Sequence, residues 1–401
     1  MSTDRKPQFT PADELENRIG NLQRYLQTQN LDGALIVQNT DLFYFAGTIQ
    51  QAHLYIPAQG EALLMARKDF GRARRESALN RVVPIESPRQ IGALLADHGL
   101  PSPKRLGMEL DVLPTNLYFQ YRTLLDGVEI LDVSHGIRLQ RAVKSAYELD
   151  LMRTAAGFAD RVAAHLPTLL AEGRTEIEVA GEIEAFARSL GHQGIVRMRL
   201  WGSELFYGHL MAGPAAAEPS YLASPTGGAA ISPAVAQGPS FNSIGSGQPI
   251  LLDYVFAHQG YLADHTRIFC LGELPPDLAR AQADMVAIQN EIKPLMVPGT
   301  PAGLVYTKAV DLAAAAGYED HFMGCGATRI RFVGHGVGLE LDEYPFLAKG
   351  QEMALAENMV VALEPKLIFP GKGVVGIENT FVVTANGLEP LTRFPDGVTY
   401  I

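Results

Sequence analysis

At 401 residues the chain exceeds the size at which one hydrophobic core usually stops growing, so two domains are the expectation. With 47% apolar and 19% charged residues it reads as an ordinary soluble globular protein, and a formal net charge of −11 argues against a nucleic-acid surface, which needs a basic stripe. Two cysteines, Cys270 and Cys325, exclude a disulfide framework, and no stretch approaches the ~18 to 20 apolar residues of a membrane span.

The N-terminus, MSTDRKPQFTPADELENR, is polar and lacks an apolar h-region, which together with the cysteine usage points to a cytoplasmic protein. Over residues 12–30, Leu15, Ile19, Leu22 and Leu26 recur at helical spacing. Asp32-Gly33 then turns the chain into ALIVQ, and apolar runs at 42–46, 62–66 and 82–85 predict short strands, with helical segments near 69–79 and 89–98. This pattern predicts α/β packing of a mixed sheet. No glycine-rich phosphate loop follows these strands, so a nucleotide site has little support.

The character changes over 134–174, and the domain boundary is placed near residue 142, giving domains 1–142 and 143–401. A long helix starts at Ser145, with Glu148 completing a capping box, and a second runs from Thr175 to Gly191. Residues 211–248 are rich in Gly, Ala, Ser and Pro with little periodicity, which predicts a substrate-facing loop. A hairpin through Asp253 to Phe269 follows, then helices over about 275–296 and 301–316, then further strands. Two helix pairs, each followed by strands, predict a duplicated α/β unit wrapped into one curved sheet.

Asp253, Asp264, His335, Glu364 and Glu378 fall in segments that each read as strand or strand edge. Most of the acidic excess lies in the same part of the chain: residues 1–150 hold 18 acids and 17 bases, whereas 151–401 hold 26 and 16. Asp253 and Asp264 straddle a turn and can face each other across a hairpin. Glu364 and Glu378 repeat that geometry across IFPGKG. His335 sits in GHGVG, where glycines let the backbone come close to a metal or substrate. Taken singly, an Asp at a strand end is a turn or cap residue and a His beside glycine is ordinary. A carboxylate embedded in VVALEP or VVGIENTFVV, however, needs a cation or donors once buried. Four carboxylates and one imidazole suit two divalent ions, Mn²⁺ or Co²⁺ foremost, with Zn²⁺ or Fe²⁺ as alternatives.

These segments, DYVFAHQGYLADHTR, GHGVGLELDEYP, LEPKL and GIENT, resemble those of the pita-bread fold metallopeptidases of the aminopeptidase P and prolidase branch. Spacings of 29 from His335 to Glu364 and 14 on to Glu378 are similar too, and LDGALIVQNTDLFYFAG and RAVKSAYELDLMRTAA resemble the creatinase-type N-terminal domain and its junction. The resemblance implies a creatinase-type α/β domain followed by a pita-bread catalytic domain with a curved antiparallel sheet. It further implies two metals on Asp253, Asp264, His335, Glu364 and Glu378, which would activate a bridging water for peptide hydrolysis, with Glu364 taking its proton and His335 in the catalytic set. Association as a homodimer through the N-terminal domain follows from the same resemblance, and a small peptide is the expected partner, with no nucleic acid and no membrane.

Three departures bear on specificity. The branch carries a histidine seven residues after the metal histidine, where this chain has Asp342, a candidate substrate-binding residue. It also carries a histidine about seventeen residues before the first metal Asp, yet none occurs between His209 and Asp253, and its Arg-x-Glu arginine is Gly376 here. The expectation is an Xaa-Pro aminopeptidase or dipeptidase type of hydrolase with altered specificity. The alternatives are non-peptidase metal chemistry, such as a lyase step, or a non-catalytic binding role.

Overall fold

Leu15, Ile19, Leu22 and Leu26 form the buried stripe of a helix over Ala12–Thr28 in the computed structural model, which describes residues 8–205 and 207–401. The first seven residues of the polar N-terminal stretch lie outside the described residues. The chain divides into two units, Met1–Arg141 and Ala142–Ile401.

The first unit carries six strands, β1 (Gly33–Ile36), β2 (Ala52–Pro57), β3 (Leu63–Ala66), β4 (Val82–Pro84), β5 (Arg105–Met108) and β6 (Glu129–Asp132), in the order β4-β3-β2-β1-β5-β6. The sheet is mixed: β1–β2 and β2–β3 are antiparallel, and the other three pairs are parallel. Leu35, Tyr55, Leu63, Met65, Leu106 and Met108 make its core with Ile91 and Leu95 of the helix Ile91–Asp97. The apolar run at 42–46, expected as a strand, belongs to a helix over Asn39–Ala46. Gln38 caps it by accepting from the Asp41 amide, and Gly47 ends it in the left-handed region at φ 71°. A five-residue apolar run carries no periodicity, so the caps and packing decided its form.

In the second unit both predicted capping boxes are present, Ser145 with Glu148 on the helix Ala146–His165 and Thr175 with Glu178 on Glu176–Leu190. Strands β7 (Gly208–Ala212), β8 (Ile250–His258), β9 (Tyr261–Cys270) and β17 (Thr399–Tyr400) form a four-stranded sheet in the order β17-β9-β8-β7. Strands β10 (Phe332–Gly336), β11 (Glu343–Ala348), β12 (Val360–Leu363), β15 (Asn379–Thr384) and β16 (Gly387–Pro390) form a second, ordered β11-β10-β12-β15-β16. A hairpin of β13 (Lys366–Phe369) and β14 (Gly373–Gly376) stands as a third ladder. The curved sheet expected from the sequence is built as three ladders, and an antiparallel bridge from Thr266 of β9 to Glu378 links the first of them to the chain entering β15. The helices Pro276–Ile292 and Ala302–Ala315 cover the second sheet through Met285, Ile288, Ile292, Val305 and Ala309, packed with Val361, Leu363, Phe381 and Val383. The Gly- and Ala-rich stretch begins inside β7, and residues 217–249 contain no helix or strand. No helix among the described residues is long and apolar enough to cross a membrane.

Candidate active site

The β8–β9 hairpin turns at Gln259-Gly260, where His258 pairs with Tyr261. That register sets Asp253 opposite Thr266 and Asp264 opposite Val255, so the two carboxylates are diagonal neighbours on one face rather than directly opposite. Glu364 and Glu378 do face each other. Leu363 pairs with Asn379 and Lys366 with Gly376 in the same register, which leaves the two glutamates opposed at the break between the two ladders. His335 arrives on β10, paired with Ala362 of β12. Its flanking glycines serve the strands rather than a ligand: a Cβ on Gly334 would strike the Ala362 carbonyl, and one on Gly336 the Tyr344 carbonyl.

The five predicted residues converge. Asp264, His335, Glu364 and Glu378 are each at most 5% exposed, and His335 Nε2 lies 4.0 Å from Asp264 Oδ2, 3.8 Å from Glu364 Oε1 and 3.9 Å from Glu378 Oε1. His335 Nδ1 is 3.1 Å from the carbonyls of Gly336 and Leu341, acceptors that hold the ring proton there and leave the Nε2 lone pair for the carboxylate side. Burial would lower the His335 pKa, but Asp342, Glu364 and Glu378 outweigh it and raise it. Burial pushes the Glu364 carboxyl up to about 7 against the pull of Lys366. Burial, with Glu378 and Asp253 as like charges, drives Asp264 well above the usual carboxylate range. Asp342 stands 3.6 Å from His335 Nδ1 and lines the cleft above the centre.

Several side chains that the sequence motifs do not single out also take part in the centre. Lys366 Nζ lies 3.0 Å from Asp253 Oδ2, 2.8 Å from Glu364 Oε2 and 2.9 Å from Glu378 Oε2. The signal was in the strand itself, since Glu-Pro-Lys places 364 and 366 on one face of an extended segment. His209 pairs with Asp253 across β7 and β8 and lines the cleft, although the chain holds no histidine nearer in sequence to Asp253 on that side. Burial keeps its pKa low. Thr226 donates to Asp253 and Thr266 to Glu378, while Arg267 spans from the carbonyls of Thr266 and Glu378 to that of Phe394 and to Asn379 Oδ1. The irregular stretch 217–249 contributes Leu222, Ser224, Pro225 and Gln237 to the cleft wall.

The donor set fits a divalent ion on the His335 side. Ligand atoms of Asp264, His335 and Glu378 lie within 4.8 Å of one another, and Asp264 Oδ1 is buried with no hydrogen-bond partner. A buried, unsatisfied carboxylate oxygen of this kind calls for a cation. On the Asp253 side the converging oxygens of Asp253, Glu364 and Glu378 take the Lys366 ammonium.

The comparisons with known proteins agree with this geometry. Residues 18–143 match the creatinase/prolidase N-terminal domain model, and residues 150–385 match that of metallopeptidase family M24. An uncharacterised peptidase of Bacillus subtilis is 29% identical over 390 residues, covering 96% of this chain and 98% of its own. An Xaa-Pro dipeptidase of Pyrococcus horikoshii is 25% identical over 385 residues, covering 95% and 98%. Among solved structures, an Xaa-Pro dipeptidase from Bacillus anthracis superposes with a TM-score of 0.82 at 22% identity, over 96% of this chain and all of that one, a likeness of fold. With that family match covering more than half of the chain and all five converging residues, the chain belongs to metallopeptidase family M24.

Proposed function

We propose that this protein is a metal-dependent hydrolase of small peptides, of the Xaa-Pro aminopeptidase or dipeptidase type but with altered specificity. The observation that carries the reading is the meeting of Asp264, His335 and Glu378, all buried, at the floor of an open cleft. Relatives named as Xaa-Pro dipeptidases support it. A divalent ion, Mn²⁺ or Co²⁺ foremost, would supply Lewis-acid polarisation of a carbonyl and a water of lowered pKa.

The chain's own residues do the rest. Glu364 takes the proton given up by the attacking water and hands it on to the leaving amine. His335 is fixed in orientation by the Gly336 and Leu341 carbonyls. His209, kept neutral by burial, offers a ring nitrogen to a substrate carbonyl or amide in the cleft. Asp342 places a carboxylate in the cleft wall, which disfavours an anionic dipeptide C-terminus.

Purified protein, stripped with chelator and reloaded with Mn²⁺ or Co²⁺, is to be assayed on a library of dipeptides and longer peptides. Hydrolysis should appear only in the reloaded sample. Asp264→Ala and Glu378→Ala should each lower it, and metal affinity with it, beyond the roughly 100-fold that outer-shell changes cost. No metal-stimulated hydrolysis of any peptide would sink the reading. For assembly the reading is a homodimer: the near-neutral balance of residues 1–150 permits close approach of two copies, and Phe9 and Phe119 are exposed apolar groups in that unit. A sedimentation mass near the 43.5 kDa of one chain at micromolar concentration would count against it.

A further inference from the structure

Lys366 is 1% exposed at its side chain, and its ammonium has three protons and three carboxylate oxygens to receive them, on Asp253, Glu364 and Glu378. The distances of 2.8 to 3.0 Å are those of charge-assisted hydrogen bonds. They leave no donor over for substrate.

The two glutamates divide their oxygens. On each, Oε2 faces the ammonium and Oε1 faces His335 Nε2. The centre therefore has two cation positions that share Glu364 and Glu378. One is bounded by Asp253 Oδ2 and the two Oε2 atoms. The other is bounded by His335 Nε2, Asp264 Oδ2 and the two Oε1 atoms, and Asp264 Oδ1 is buried without a hydrogen-bond partner. An ammonium and a divalent ion cannot stand at one point, because their repulsion adds to the loss of the shared oxygens.

The backbone is built around this lysine. Gly376 is its partner across the β13–β14 ladder, and a Cβ there would lie 2.7 Å from Lys366 Cα and 2.8 Å from Lys366 Cγ. A side chain at 376 would push the lysine stem off its path. Thr226 on Asp253 Oδ2 and Thr266 on Glu378 Oε2 donate to the same oxygens that the ammonium uses, fixing them as hydrogen-bond acceptors.

We propose that the Lys366 ammonium permanently occupies one of the two cation positions, so that the centre takes a single divalent ion per chain, on Asp264, His335, Glu364 and Glu378. The proposal rests on the reading of the His335 side as a metal site. Asp253 then acts as an ammonium partner and not as a ligand, and Lys366 is a positioning residue that orients the two shared glutamates.

The test is metal stoichiometry on the full chain, stripped with chelator and titrated with MnCl₂ or CoCl₂, read by calorimetry and by elemental analysis after desalting. Wild type should hold one ion per chain, with the uncoupled spectrum of isolated Mn²⁺ in electron paramagnetic resonance. Lys366→Ala should hold two, with spin coupling between them. Asp253→Asn should keep one ion with affinity lowered by no more than the roughly 100-fold of an outer-shell change, whereas Asp264→Asn should lose it. Two ions in wild type would overturn the proposal while leaving the metal-dependent reading intact. None in wild type would overturn both. A folded Lys366→Ala that still holds one ion would overturn it too. Should Lys366→Ala fail to fold, the wild-type count and Asp253→Asn decide, and loss of the ion from Asp253→Asn would refute it.

Discussion

In the proposed function Asp342 is the side chain that bears on specificity. It lies 3.6 Å from His335 Nδ1 and faces the cleft, where an ionised carboxylate only accepts hydrogen bonds and repels a substrate carboxylate. On the proposed function, wild type should turn over Xaa-Pro dipeptides weakly and prefer substrates with a neutral or cationic group near the scissile bond. Asp342→His should raise Xaa-Pro turnover about tenfold, the effect of roughly 1.4 kcal/mol in the transition state. Robust wild-type cleavage of Xaa-Pro dipeptides that the variant does not improve would mean that other residues, His209 first among them, already serve this role.

At the level of elements, the irregular stretch 217–249 must be held against its sheet to keep a cleft wall in place. Glu176, in the first turn of the helix Glu176–Leu190, does this from a fully buried position. Its carboxylate accepts from the Ala212 amide at 2.7 Å, the Ser240 amide at 2.8 Å and the Ser240 hydroxyl at 2.7 Å. The helix N-terminus adds a favourable field for the charge. Glu176→Ala strands those donors, and denaturant unfolding should show a loss of about 3 kcal/mol, from hydrogen bonds to a charged group. KM should rise more than kcat falls, because the wall loosens while the centre stays. Removing the Ser145 cap by Ser145→Ala is a milder change, expected at about 1 kcal/mol.

For the whole molecule, acid should act on the first unit through His53. Its Nε2 meets the Tyr121 hydroxyl at 2.8 Å, its Nδ1 is buried without a partner, and burial with nearby Arg67 lowers its pKa from 6.5 to about 4. The folded chain thus keeps this imidazole neutral where the unfolded chain takes up a proton. Stability present above about pH 6.5 is lost as the pH falls towards 4, by up to about 3 kcal/mol. His53→Phe should flatten that part of the stability-versus-pH curve relative to wild type. Parallel curves for the two proteins between pH 7 and 4.5 would show that the folded state accommodates the charged ring.

Local signals carried much of the reading. The Ser145 and Thr175 capping boxes, the helical stripe of Leu15 to Leu26 and the strands bearing Asp253, Asp264 and His335 were legible because caps and periodicity depend only on neighbours in sequence. The pita-bread fold and its metallopeptidase family were legible through the resemblance of the segments around Asp253, Asp264, His335, Glu364 and Glu378 to known ones. Tertiary structure decided what spacing does not contain. It set the diagonal register of Asp253 and Asp264, fixed by where the turn falls, and the helix at Asn39–Ala46, fixed by its caps and burial. It brought His209 beside Asp253, because two strands separated by the irregular stretch pair in the fold. It also turned Lys366, which reads in sequence as one cation after a Glu-Pro pair, into the shared partner of three carboxylates from distant segments. A buried charge is defined by everything that surrounds it, and that surrounding exists only once the chain has folded.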